Sequence, residues 1–122
     1  MASLRKDDIP LSRGVYAVYR RDKRMYVGKA TCLQARVWKN HSGQGVGMGS
    51  SALRRNVAEQ LGIAGAKDIK EGRHRITDEE AKRVRTWLDG CDIAWRECAN
   101  HAAAKDLETA MKAEHKPPLT KV

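Results

Sequence analysis

The chain has 122 residues and a mass of 13.6 kDa, enough for one domain built round a single core but not for two. Its 24 Lys and Arg stand against 15 Asp and Glu, a formal charge of +9 that favours an anionic partner such as nucleic acid over a merely solvated basic surface. Cys32, Cys91 and Cys98 lack CxxC spacing and the four histidines are scattered, which argues against a disulfide framework or a zinc centre; no apolar run nears the roughly 18 residues of a membrane span, and MASLRKDDIPL lacks the apolar core of a signal peptide, so a cytoplasmic or other intracellular location with no membrane partner is expected.

In chain order, GVYAVYR (14–20) is rich in Val and Tyr and reads as a strand, RDKR as a polar turn, and MYVGKA (25–30) as a second strand closing an antiparallel hairpin. A helix is predicted from Thr31 or Cys32, with Leu33, Val37 and Trp38 on its apolar stripe and Arg36 beside it. HSGQGVGMGSS (41–51) carries four glycines and reads as a loop; it lacks the preceding strand and the Gly-Lys-Ser/Thr ending of a phosphate loop. SSALRRNVAEQLG (50–62) predicts a serine-capped helix with Leu53, Val57 and Leu61 inward, a glycine stop, and Arg54 and Arg55 off the apolar face. Residues 63–76 read as a connector whose Arg73, His74 and Arg75 form a local basic cluster. TDEEAKRVRTWLDG (77–90) opens with Thr77 and Glu80 at capping-box spacing, CDIAWRE (91–97) alternates as a half-exposed third strand, and a last helix runs from about Asn100 until KPP stops it. The expected fold is α+β: one domain over 1–122, a small three-stranded antiparallel sheet flanked by helices.

A Gly-Val-Tyr strand, a Tyr-Val-Gly strand, an arginine on the following helix and a late helical glutamate, in that order, resemble the GIY-YIG nuclease family. GVY (14–16) and YVG (26–28) look like its two motifs, and YVGKA with Leu33 and Arg36 keeps the spacing of the nuclease domain of the nucleotide-excision-repair incision enzyme. The resemblance covers most of the chain and implies a metal-dependent endonuclease that hydrolyses phosphodiester bonds in DNA, as in DNA repair or mobile elements.

On that resemblance, Tyr16, Tyr26, Lys29, Arg36 and Glu108 are the expected catalytic residues. Arg36 suits the task because its guanidinium fork stays charged and matches phosphate oxygens, with Lys29 as a second, adaptable positive charge. Tyr26 or Tyr16 would orient or deprotonate water, Tyr26 being favoured, and the glycine between strand and helix would let backbone and substrate approach. Glu108 is the expected metal ligand, one carboxylate with waters and phosphate oxygens being compatible with Mg²⁺ (or Mn²⁺); the plainer reading pairs it with Lys105 or Lys112. Lys29, Arg36, Lys39, Arg54 and Arg55 are the expected nucleic-acid contacts. Two positions depart from the family pattern: Asn40 stands where a histidine is common, with His41 one residue later, and Thr120 where an asparagine is common, so both enter only as possible supports. A non-cleaving nucleic-acid-binding module on the same fold is the alternative, and a basic structural protein of a ribonucleoprotein particle needs the charge alone.

Overall fold

The computed structural model describes residues 4–41, 47–48, 51–114 and 119, with backbone alone at 39–41. Its sheet comprises β1 (Gly14–Arg20), β2 (Lys23–Ala30) and β3 (Asp92–Glu97) in the order β2-β1-β3, with both pairings antiparallel, as expected from the alternation in the sequence. The hairpin is tighter than RDKR suggested. Arg21 and Asp22 alone make the turn, both in the left-handed region (φ 52° and 64°), the backbone that matches the right-handed twist of the flanking strands. β2 therefore starts at Lys23 instead of residue 25. Its register then slips, from Tyr19 opposite Arg24 to Val18 opposite Tyr26, leaving Met25 as the extra residue of a β-bulge.

Helices cover both faces of the sheet. α4 (His101–Glu114) lies mainly along β2 and sets Ala104, with Leu107 and Met111, against Val15, Ala17 and Val27. Against the other face α1 (Ala52–Gln60) and α3 (Asp78–Asp89) bury Leu53, Val57, Val84 and Leu88 with Val18 and Met25. A second cluster of Ile9, Tyr16, Ala30, Leu33 and Val37 holds the segment that follows β2. Among the described residues no helix is long and apolar enough to cross a membrane.

The helix ends follow their local chemistry. The Ser51 side chain accepts from the Arg54 amide at 3.1 Å, and α1 stops as Gly62 (φ 76°) turns the chain so that the Gly62 and Ile63 amides reach the Glu59 and Ala58 carbonyls. Thr77 and Glu80 close their capping box. The connector, in contrast, contains a short helix, α2 (Ala66–Lys70), whose Ala66 and Ile69 are buried; five residues are too few to print a helical period on the sequence. The basic cluster beyond it is largely neutralised, with Arg73 paired to Asp68 at 2.8 Å and to Glu71, and His74 Nε2 lying 3.2 Å from Glu80.

Gly14, the first residue of the GVY motif, lies under β3: a Cβ there would stand 2.2 Å from the Arg96 carbonyl oxygen and 2.7 Å from Leu33 Cδ1. Backbone cannot swing aside as a side chain can. Gly14→Ala is expected to destabilise the fold by about 1–3 kcal/mol in urea unfolding, the range for an overpacked core. Gly47→Ala, where nothing lies within 4 Å of the added carbon, should leave the unfolding midpoint in place.

Candidate active site

Strand register brings the two motif tyrosines together. Tyr16 faces Gly28 and Tyr26 faces Val18, so the rings are diagonal neighbours on one face of the hairpin, with centroids 6.0 Å apart and planes tilted by 31°. A Cβ on Gly28 would meet Tyr16 Oη at 2.5 Å and Cζ at 2.6 Å. The group that approaches this glycine is thus the Tyr16 ring, where the sequence reading expected substrate.

Burial dominates the chemistry of both phenols. Tyr16, 2% exposed, is held well above the ordinary phenol value of 10, first by burial and then by the neighbouring Tyr26, with the Arg36 charge pulling the other way. Burial also raises Tyr26, against a hydrogen bond from Tyr16 and the positive charges of Arg36 and Arg55. The hydrogen bond between the rings raises Tyr16 and lowers Tyr26, as it must when Tyr16 donates and Tyr26 accepts. Negative charge forming on this pair therefore settles on the Tyr26 oxygen.

Arg36 reaches the pair from a π-helical segment, Ala35–His41, which stands in place of the expected α-helix. Its first turn is held by the chain's N-terminal segment: the Leu33 and Gln34 amides donate to the Ser12 and Pro10 carbonyls at 2.9 and 3.0 Å, and the Gln34 side chain donates to the Ile9 carbonyl at 3.2 Å. Leu33 and Val37 anchor the inner side in the cluster that contains Tyr16, leaving Arg36 half-buried beside it. Segments of this kind are rare and recur at functional sites.

Glu108 enters from α4, its side chain only 15% exposed, with Oε2 3.5 Å from Lys112 Nζ. The expected Lys112 pairing is thus present, and the same carboxylate lies near enough for its charge to raise both phenols. Among the described residues no three His, Cys, Asp or Glu side chains gather as metal ligands. An all-protein cage is therefore not offered by them. A sheltered single carboxylate near two phenol oxygens fits a hard cation that keeps several waters and takes phosphate oxygens for the rest of its shell.

The remaining expected residues divide. Lys29 and Arg36 line a pocket of about 140 Å³ with Arg13, Thr31, His101 and Ala104. Arg55 is half-buried, donates from Nη1 to the Met48 carbonyl at 3.0 Å, and acts on Tyr26. Arg54 requires a correction: it is 3% exposed, with Nη1 donating to the Gly47 carbonyl at 3.3 Å, so its guanidinium anchors the segment before α1 and is closed to a phosphate. The side chains of Lys39 and His41, and Thr120 altogether, lie outside the described residues. Arg13 and His101 were not singled out from the sequence, although two signals existed. Arg13 shares strand parity with Val15, which pairs with Lys29, and His101 precedes Glu108 by two helical turns. A hollow of about 470 Å³ beside Arg20 and Trp87 shares no residue with the tyrosine pair.

Comparison with known proteins agrees with this fold. The model of the GIY-YIG catalytic domain matches residues 8–121. Crystal structures of point mutants of the GIY-YIG N-terminal endonuclease domain of UvrC from Thermotoga maritima, bound to the catalytic divalent cation, align with TM-scores of 0.55 and 0.54 at 15% and 16% identity. Each alignment covers 93% of this chain and 88% of that one, a likeness of fold. No curated protein sequence gives a significant match.

The buried phenol makes a stability test. Because Tyr16 in the fold is raised above the value of 10 it has when unfolded, its contribution is fully present below pH 10 and is lost as pH climbs toward the folded value, by up to about 1.4 kcal/mol per pH unit. Urea midpoints of the wild type should fall more steeply above pH 10 than those of Tyr16→Phe.

Proposed function

The chain belongs to the GIY-YIG catalytic domain family, and on that premise we propose that it is a single-domain, Mg²⁺- or Mn²⁺-dependent endonuclease hydrolysing phosphodiester bonds in DNA. The observation that carries this reading is the hydrogen-bonded tyrosine pair with Arg36 and Glu108 both acting on it. The formal charge of +9 supports a nucleic-acid substrate.

Tyr26 is the base. Its hydroxyl first gives its proton to solvent, favoured by the positive charges of Arg36 and Arg55; the phenolate oxygen then accepts a proton from a water while the Tyr16 hydroxyl, held by Gly28, donates to that same oxygen and stabilises charge on it. As the water oxygen bonds to phosphorus, the bond to the leaving strand oxygen breaks and that oxygen takes a proton from solvent. Arg36 presents its fork to the non-bridging oxygens, whose charge rises in the transition state, and Lys29 adds a second positive charge. Glu108 is the residue that would hold the divalent cation, which when bound polarises the phosphate and lowers the pKa of a bound water. Placing these groups on separate elements of one rigid hairpin and two packed helices keeps their geometry set before substrate arrives.

Supercoiled, branched and single-stranded DNA, incubated with and without Mg²⁺ or Mn²⁺, tests the proposal. Cleavage should require the metal, and Arg36→Ala and Glu108→Ala should each lower it about 10²–10³-fold without unfolding the protein. Tyr26→Phe should cost about 10²–10⁴-fold, whereas Tyr16→Phe should cost only about 10–100-fold, the worth of one hydrogen bond to a charged oxygen. Wild-type cleavage by Glu108→Ala would overturn the assignment, and salt-dependent binding with no cleavage of any substrate would leave the non-cleaving module.

A further inference from the structure

The pocket of about 140 Å³ beside Arg36 has an unusual wall: Arg13, Lys29, Arg36 and His101 line it with Thr31 and Ala104, and no carboxylate takes part. Some positive charges elsewhere have a carboxylate partner, as Arg24 with Glu114, Arg73 with Asp68 and Arg85 with Asp89. Among the described residues, none of the four basic side chains of the pocket forms an ion pair. Three cations beside one hollow without a carboxylate repel one another, a cost that an anionic ligand would reverse, and the His101 imidazole adds a hydrogen-bonding edge.

Three elements build this arrangement. The Arg13 carbonyl accepts from the Cys98 amide at 2.8 Å, which carries the β1–β3 ladder one residue past Gly14 and holds Arg13 in strand-like position. Continuing the Gly14–Ala30 register sets Arg13 opposite Thr31, and strand parity puts it on the same face as Val15 and Lys29, the face that α4 covers. His101 opens α4, whose first turn is tied by the Asn100 side chain accepting from the Ala103 amide at 2.9 Å. His101, Ala104 and Glu108 recur at helical spacing, so the pocket lies within about 10 Å of Glu108 along the helix. Arg36 belongs to both places, since it lines the pocket and acts on the tyrosines.

We propose that Arg13 and His101, on a wall shared with Lys29 and Arg36, form a second phosphate subsite, which holds the backbone phosphate next along the strand from the one placed at the tyrosine pair. The proposal rests on the endonuclease reading for the identity of its ligand. It gives Arg13 and His101 a binding role outside the reacting group, with Arg36 as the shared wall between two phosphates. Its consequence is directional: the strand is gripped on the α4 side of the scissile bond.

Two measurements without metal or cleavage test it on the full chain. In the first, the histidine imidazole resonances are followed by carbon-edited NMR while inorganic phosphate replaces chloride at constant ionic strength, with the His101 signal identified by its loss in His101→Asn. The His101 resonance should move saturably, with at least about 10-fold weaker binding in Arg13→Ala. The second is a salt titration of binding to a duplex with hydroxyl ends, in which Arg13→Ala should reduce the log–log slope by about 1, the mark of one lost phosphate contact. A His101 resonance indifferent to phosphate would overturn the subsite. A phosphate response with an unchanged salt slope would overturn the strand assignment, showing a site for free phosphate only. Failure of the endonuclease reading would appear separately, as no metal-dependent cleavage while both responses persist.

Discussion

Tyr16 lies against the backbone of Gly28 with no room for a single carbon between them, and the geometry of the site follows from that contact. A ring pressed onto a strand cannot point outward, so its hydroxyl is spent inside, on Tyr26. Tyr26 in turn packs against both apolar clusters on its face of the sheet, and so reports on the packing of each. The glycine is therefore as much part of the chemistry as the phenols, although it carries no functional group.

Around this pair the charges are distributed with economy of elements. Arg36 comes from the segment after β2, Arg55 from α1 and Glu108 from α4; the two arginines pull the Tyr26 phenol down against burial, and the carboxylate pushes it up. Positive charge alone does not offset burial here, because Tyr26 still stands above the ordinary phenol value. Sheltered charges of this kind interact through protein as well as water, so their effects are larger than those of the exposed pairs on the connector.

Local chemistry made much of the fold legible from sequence. Thr77 with Glu80, Ser51, and the glycine at 62 each act within a few residues, and the alternation through Ile93 and Trp95 reports one half-buried face. The motif tyrosines were legible through the resemblance of GVY and YVG to the family's two motifs, and the hairpin register makes them diagonal neighbours. What escaped depends on partners distant in the chain. The Met25 bulge is set by the register with β1, and the burial of Arg54 by the Gly47 carbonyl it meets. Arg13 and His101 are unremarkable singly, since an arginine before a strand and a histidine starting a helix acquire meaning only when the sheet and α4 face them toward one hollow.

Leu119 joins regions that the chain visits at opposite times. Its amide donates to the carbonyl of Met25 at 2.8 Å, and its own carbonyl accepts from the Asn56 side chain at 2.7 Å. The β1–β2 hairpin needs only near neighbours and can close early, whereas this latch joins residues far apart in the chain and forms against a larger loop-closure entropy. During synthesis the hairpin that carries both tyrosines thus emerges first and waits for the residue that ties its bulge to α1. Order of assembly is written into the position of that leucine: the part that bears the phenols is made early, and its last backbone constraint comes late.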